Sequence, residues 1–179
     1  MVVGAGQMGS GIAQVCAAGG FHVLLSDIDK KSLDRALAGI RSNLQRSVEK
    51  GKLSSADLEA IMGRIKAEPG LEAAAGAGLV IEAVVEDEAI KKEIFKALDK
   101  ICSSSTILAS NTSSLPITRI AAVTGRPQKV IGMHFMNPVP VMKLVEVIRG
   151  AVTDDQTFNT VKELAEKLGK APVEVNDFP

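Results

Sequence analysis

Few residues in this chain are suited to moving a proton near neutral pH, because it holds two histidines, His22 and His134. His22 opens an apolar run that reads as a strand, which leaves His134 as the candidate base. It heads His134-Phe135-Met136-Asn137-Pro138-Val139-Pro140, a stretch that two prolines make rigid and turn-like. Beyond it, Met142-Lys143-Leu144-Val145-Glu146-Val147-Ile148 alternates as a strand does, with Glu146 on the face of Met142, Leu144 and Ile148. The expectation is a carboxylate among core side chains, and a buried acid needs a partner. His134 and Glu146 are equally far from Pro140, so two strands folding back around that proline bring them opposite each other. A glutamate on one imidazole nitrogen fixes the tautomer and stabilises the charged ring, and the other nitrogen is left to take a proton. The plainer alternative is a histidine at a strand end and a glutamate facing water at a sheet edge.

A second constellation stands at the start of the chain. Met1-Val2-Val3 leads into Gly4-Ala5-Gly6-Gln7-Met8-Gly9, after which Met8, Ile12 and Cys16 share one helical face. Strand, tight turn and helix is the context in which such glycines cradle a dinucleotide. Gly4 makes the turn, Gly6 admits a pyrophosphate to the backbone, and Gly9 lets helix pack on strand. The helix begins at Gln7 and Met8, whose end offers free N–H groups and the positive pole of the dipole to phosphate. Asp27 closes the run His22–Ser26, about 20 residues past the glycines, where an acid bonds a ribose diol and repels a 2′-phosphate. NAD is thereby favoured over NADP. The alternatives are a glycine turn without a ligand, with Asp27 as a helix cap, or a methyltransferase, which uses a similar turn and acid but has no need of a histidine–glutamate pair.

The elements that must position these residues follow from periodicity. Leu33, Leu37, Ile40, Leu44 and Val48 mark a long amphipathic helix whose other face carries Arg35, Arg41, Arg46 and Lys50, and Gly51 ends it. Those cations read either as a solvated face or as contacts for the phosphates of a long substrate. Ser54-Ser55-Ala56-Asp57 resembles a capping box opening a short helix through Ile61. Strands are expected at Arg64–Ala67, Leu79–Val85, Thr106–Ala109 and Lys129–Met133, with a helix over Asp87–Ile101. Asp27, Glu86, Asn111–Ser114 and His134 then all stand where strands end. In an open parallel sheet that edge holds the ligand. The fold class expected is α/β, a Rossmann-type doubly wound and mostly parallel sheet, with a helical excursion after the second strand and a final antiparallel portion.

Composition narrows the function further. Lys+Arg 21 balances Asp+Glu 21, so no global field recruits nucleic acid or a membrane surface, and the absence of Trp and Tyr argues against base-stacking platforms. Cys16 and Cys102 lack metal or redox spacing and read as reduced structural thiols, and no metal site is expected. No apolar run reaches the roughly 20 residues of a membrane span, and no signal peptide precedes the first strand, so a cytoplasmic setting is expected. The 179 residues fit one domain. The chain starts inside its first strand and stops just after an apparent last one, as a piece of a longer protein would.

Three segments together resemble the L-3-hydroxyacyl-CoA dehydrogenase family, and within it the bacterial 3-hydroxybutyryl-CoA dehydrogenases. They are Gly4-Ala5-Gly6-Gln7-Met8-Gly9, Ser110-Asn111-Thr112-Ser113-Ser114-Leu115 and the run from His134 through Glu146, and the likeness extends over residues 1–179. The resemblance implies an NAD-binding domain that helps interconvert a short-chain L-3-hydroxyacyl-CoA and the 3-ketoacyl-CoA in fatty acid and butanoate metabolism. It implies that His134 takes the hydroxyl proton, that Glu146 orients it, and that Ser113 bonds at the reacting centre between cofactor and substrate. It further implies that Asp27, Glu86, Lys91 and Asn137 contact the cofactor and that Lys50 lies near the CoA. Asn43 stands where some members direct a serine at CoA, and Met136 where phenylalanine is more usual. The family continues past the position of Pro179 with a helical domain carrying homodimer contacts, part of the substrate cleft and an asparagine for the thioester carbonyl. This chain alone is therefore expected to be either part of a working dehydrogenase or an NAD-binding module without turnover. A hydroxyacid dehydrogenase with a lysine base, and a bulk protein such as the lens crystallin that the family resembles, are the other readings.

Overall fold

The computed structural model describes residues 1–177. The chain runs through β1 (Val2–Val3), α1 (Gln7–Ala18), β2 (Val23–Asp27), α2 (Lys30–Glu49), α3 (Ser55–Gly63) and β3 (Ile65–Pro69). After a 3-10 turn at Glu72–Gly76 come β4 (Leu79–Glu82), α4 (Glu88–Ile101), β5 (Ile107–Ser110), α5 (Ile117–Ala121) and β6 (Val130–Phe135). β7 (Leu144–Arg149), α6 (Asp155–Lys167) and β8 (Ala171–Asn176) complete the described elements. Among the described residues the strands form one sheet in the order β3-β2-β1-β4-β5-β6-β7-β8. The chain steps outward from β1 to β3 and then returns to β4 on the other side of β1. Every pair from β3 to β6 is parallel, β7 is antiparallel to β6, and β8 is parallel to β7. This is the expected doubly wound α/β sheet, with α2 and α3 as the excursion, and its winding reverses between β1 and β4. Ligand crevices open at such a reversal, outside the carboxyl ends of the strands.

Alternation within each strand feeds two cores. Val2, Leu25, Ile81, Ala109, Ile131 and Met133 pack on one face with Ile12 of α1, Ile40 of α2 and Val161 of α6. Val3, Val80, Leu108 and Val130 pack on the other with Phe95 and Leu98 of α4 and Ile120 of α5. Helix starts follow their caps: Asp29 accepts from Lys31 and Ser32 at α2, and Ser54 and Asp57 form the expected capping box at α3. Cys16 and Cys102 are buried and unpaired, and burial pushes the Cys16 thiol up to about 11, which suits an inert structural thiol.

Three expectations are corrected. β4 stops at Glu82, three residues before the end of its β-branched run, because the Glu82 carboxylate accepts the Val84 N–H and turns the chain out of the sheet. Glu86 therefore lies four residues beyond the strand rather than at its end. Glu146 is not among core side chains: Val145 and Val147 face the core at 0% exposure, while Leu144 on the Glu146 face is 36% exposed. The reason is α6, a helix capped by Asp154 that covers the valine face with Phe158, Val161 and Ala165. His134 lies within β6, which continues to Phe135, rather than closing it.

Candidate active site

Steric necessity shapes the first wall. Gly4 has φ +103°, and a Cβ there would fall 2.5 Å from the Ala83 carbonyl oxygen. A Cβ on Gly9 would sit 1.8 Å from the Gly4 oxygen, so α1 can approach β1 only with glycine at that position. Gly6 differs, since nothing lies within 4 Å of its missing Cβ, and open space faces the backbone there. Gln7 and Met8 start α1 beside it, and Gly6 offers the helix no side-chain cap, as befits an end kept open for an anion. Asp27 closes the turn from β2, its carboxylate accepting the Ala5 N–H at 2.8 Å and the Asp29 N–H at 3.0 Å. Each oxygen keeps acceptor capacity for a ribose hydroxyl. Open glycine backbone, uncapped helix end and strand-end acid are together the donor and acceptor set that a dinucleotide requires.

The second wall comes from β6 and β7. The register sets His134 opposite Glu146, as the turn at Pro140 predicts, and His134 Nδ1 lies 2.8 Å from Glu146 Oε2. The His134 side chain is 18% exposed and that of Glu146 35%. With a proton on Nδ1 shared with the carboxylate, Nε2 is free to accept another. The intervening turn is held against α1. Val139 is buried against Gly11, where a Cβ would come within 2.9 Å of the Val139 Cβ, and Gln7 Nε2 donates to Asn137 Oδ1 at 3.2 Å. From the other side Lys170 donates to the carbonyls of Val139 and Met142. Neither Gly11 nor Lys170 stood out in the sequence. A glycine two residues past Gly-x-Gly-x-x-Gly is the available signal for the first, and nothing signals the second.

Between the walls lies the loop after β5. Glu86 Oε1 accepts from Thr112 Oγ1, from Ser113 N at 3.0 Å, and from Ser114 N at 3.3 Å and Ser114 Oγ at 3.2 Å. Burial pushes the Glu86 carboxyl up, but the Thr112 hydroxyl, the Ser113 N–H and Lys91 outweigh it and hold the group below its usual range. Lys91 has no exposed side-chain surface; its ammonium donates to Glu82 at 2.7 Å and faces Glu86 Oε2 at 3.4 Å. Asn111 accepts the Phe135 N–H at 2.8 Å and so ties this loop to β6.

These pieces enclose a cleft of about 290 Å³ lined by Met8, Glu86, Asn111, Ser113, His134 and Asn137. It thus gathers Met8, Glu86, Ser113, Asn137 and His134, with Gly4, Gly6, Gln7, Gly9 and Asp27 on the adjoining turn and Glu146 behind the imidazole. Lys91 is near but enclosed. Lys50 is set apart, capping the far end of α2, and Arg41 of the same helix is occupied by Glu59. A larger hollow of about 700 Å³ opens at the opposite edge, among Phe21, Leu24, Leu79 and Ile107, away from the acid, base and loop residues. Among the described residues there is no group of three or more His, Cys, Asp and Glu able to hold a metal, and no helix is long and apolar enough to cross a membrane.

Fold and cleft together define a dinucleotide-binding domain of the dehydrogenase class. Comparison with known proteins makes this specific: residues 1–178 match the family described as "3-hydroxyacyl-CoA dehydrogenase, NAD binding domain". A Bacillus subtilis protein named "Probable 3-hydroxybutyryl-CoA dehydrogenase" is 58% identical over 179 residues, all of this chain and 62% of its own length. The 3-hydroxybutyryl-CoA dehydrogenase of Clostridioides difficile is 49% identical over 99% of this chain and 63% of its own. The crystal structure of (S)-3-hydroxybutyryl-CoA dehydrogenase from Ralstonia eutropha superposes with a TM-score of 0.97 at 45% identity, covering 99% of this chain and 63% of that one. The chain belongs to the 3-hydroxyacyl-CoA dehydrogenase family as its NAD-binding domain, and it spans a little under two thirds of the length of these relatives.

Proposed function

We propose that this chain binds NAD along the β1–α1 turn and supplies the acid/base pair with which a 3-hydroxybutyryl-CoA dehydrogenase interconverts L-3-hydroxyacyl-CoA and 3-ketoacyl-CoA. The observation that carries the reading is the 2.8 Å bond between His134 Nδ1 and Glu146 Oε2 at a cleft that Met8 of the glycine-turn helix also lines. NAD, when bound, supplies the two-electron acceptor. The chain's own groups do the rest. Gly4, Gly6 and Gly9 let the backbone meet the pyrophosphate, Gln7 and Met8 begin the helix aimed at it, and Asp27 takes the ribose diol. His134 Nε2 takes the proton of the substrate hydroxyl, while Glu146 holds the tautomer and offsets the charge that the ring acquires. Ser113 and Asn137, which line the same cleft as His134, are hydrogen-bonding groups for cofactor and substrate. Glu86 orders the serine loop, and Lys91, enclosed as it is, acts on the cofactor through Glu86. Lys50 meets the distant CoA moiety of a substrate long enough to reach it.

A second reading has its own observation. Val141 is 73% exposed, Met142 40% and Val173 48%, beside the partly exposed Glu146. An apolar edge next to a half-open acid/base pair suits a domain that another part of the protein covers, namely the helical domain through which the family's homodimer forms. Alone, the chain is then an NAD-binding module with little turnover. The test joins this chain to the remaining part of the Bacillus subtilis relative and follows NADH oxidation by acetoacetyl-CoA in the cytoplasmic fraction of a bacterial host and with purified protein. Turnover that His134→Gln abolishes supports the dehydrogenase reading, and unchanged turnover in that variant overturns it.

A further inference from the structure

Glu82 and Lys91 form a buried ion pair that the reaction does not use directly. Both side chains are 0% exposed, and Lys91 Nζ lies 2.7 Å from Glu82 Oε1. Burying two charges costs more than their attraction usually returns, and well-packed apolar replacements are often as stable or more so. Stability is thus a poor reason for the pair to exist here. Its geometry offers another. Glu82 is held at three points: Oε1 accepts the Lys91 ammonium and the Val84 N–H at 2.7 Å, and Oε2 accepts the Ser110 hydroxyl at 2.6 Å. The ammonium so fixed faces Glu86 Oε2 at 3.4 Å. The other oxygen, Oε1, is left to collect Thr112, Ser113 and Ser114. Glu82 also begins the turn that carries the chain from β4 to Glu86, and its backbone carbonyl accepts the Asn111 N–H at 2.8 Å.

We infer that Glu82 is a positioning residue for the cofactor cleft: through the enclosed Lys91 ammonium it sets the orientation of Glu86, and Glu86 sets the serine loop at residues 112–114. Ser110, as the third holder of Glu82, belongs to the same chain of contacts. This rests on the proposed NAD site only for its effect on binding, since the ordering of the loop is a property of the chain itself.

The experiment compares wild type, Glu82→Gln/Lys91→Met and Ser110→Ala in this chain by thermal unfolding, NADH fluorescence titration and amide hydrogen exchange at Ser113 and Ser114. The double variant keeps side-chain volume and an acceptor for Val84 while removing both charges, so it should unfold within a few degrees of wild type. NADH affinity should fall about tenfold or more, the worth of one hydrogen bond to a charged group, and protection of the two loop amides should drop with it. Ser110→Ala, which removes one holder and no charge, should move both readouts in the same direction by less. A folded double variant with NADH affinity within twofold of wild type and undiminished protection overturns the inference. Should the double variant not fold, unchanged protection in Ser110→Ala overturns it instead. Wild type that binds no NADH counts against the cofactor reading, and the exchange comparison then still decides the role of Glu82.

Discussion

The two walls of the cleft are built by different means. The β1–α1 wall is made of backbone: glycines where a Cβ would strike carbonyl oxygens, an uncapped helix end, and one acid bonded to two N–H groups. The β6–β7 wall is made of side chains: an imidazole on a carboxylate, an amide on an amide, and a lysine on two carbonyls. The first wall is closed by the core behind it, and the second opens onto the exposed Val141, Met142 and Leu144. Binding a rigid diphosphate asks for fixed N–H groups, which backbone supplies with little to reorganise. Moving a proton asks for a side chain whose charge can change and whose surroundings another surface can later dry.

The largest expected effect separates the walls outright. In the chain joined to the rest of a relative, His134→Gln should lower turnover by roughly 10²–10⁴-fold, the usual worth of a positioned base. NADH affinity, which belongs to the other wall, should stay within a factor of about two, well below the worth of one hydrogen bond to a charged group. Stopped-flow turnover and fluorescence titration on the same samples check this, and a parallel loss of both would show that the walls are not separable. Next in size, the chain alone should turn over acetoacetyl-CoA about 10²–10³-fold more slowly than the joined protein, the typical worth of one missing electrostatic donor. Equal rates at saturation would mean that the open wall needs no cover.

A smaller effect sharpens the backbone wall from within. Gly9→Ala drives a Cβ to 1.8 Å from the Gly4 oxygen and should cost about 1–3 kcal/mol of stability, as overpacking does. Gly6→Ala meets nothing within 4 Å, so the fold should tolerate it while the methyl group occupies the approach of the pyrophosphate. Thermal unfolding should therefore distinguish the two variants, and NADH titration should show both impaired. Gly6→Ala binding NADH as wild type does would remove the pyrophosphate from that position.

The same contrast explains what the sequence could disclose. Backbone requirements leave residue-type signatures, so the glycine turn, Asp27 and the capping box at Ser54 are legible, as is the pairing of His134 with Glu146 around a proline turn. Side-chain environments are not. Alternation in β7 shows two faces but not which one α6 will cover, and so Glu146 falls on the more open face. A β-branched run reads as strand to Val85 because nothing in it announces that Glu82 will capture the Val84 N–H. Lys91, one lysine among several on an amphipathic helix, gives no sign that it is enclosed by two carboxylates contributed from outside that helix.

The smallest effect expected concerns Glu86, the residue that belongs to neither wall and fastens the loop between them. Its carboxyl is held below the ordinary 4.5 because, against the upward push of burial, the Thr112 hydroxyl, the Ser113 N–H and Lys91 favour the anion. A folded-state value below the unfolded one means a stabilisation fully present above about pH 4.5 and lost as pH falls through the lower folded value. Glu86→Gln keeps an oxygen for the loop donors but cannot titrate. The other depressed acids, such as Asp29 and Asp154, are common to both proteins and cancel in the comparison. Wild type should then unfold at a higher temperature than the variant near neutrality, with the gap narrowing once pH drops below about 4.5. Because the Glu86 side chain is 37% exposed, solvent screening keeps that gap to a few degrees at most. Thermal unfolding followed by circular dichroism between pH 3 and 7 measures it. A gap that widens on acidification would mean that Glu86 binds its proton more tightly in the folded chain, and that the serine loop is fastened by something other than the Glu86 anion.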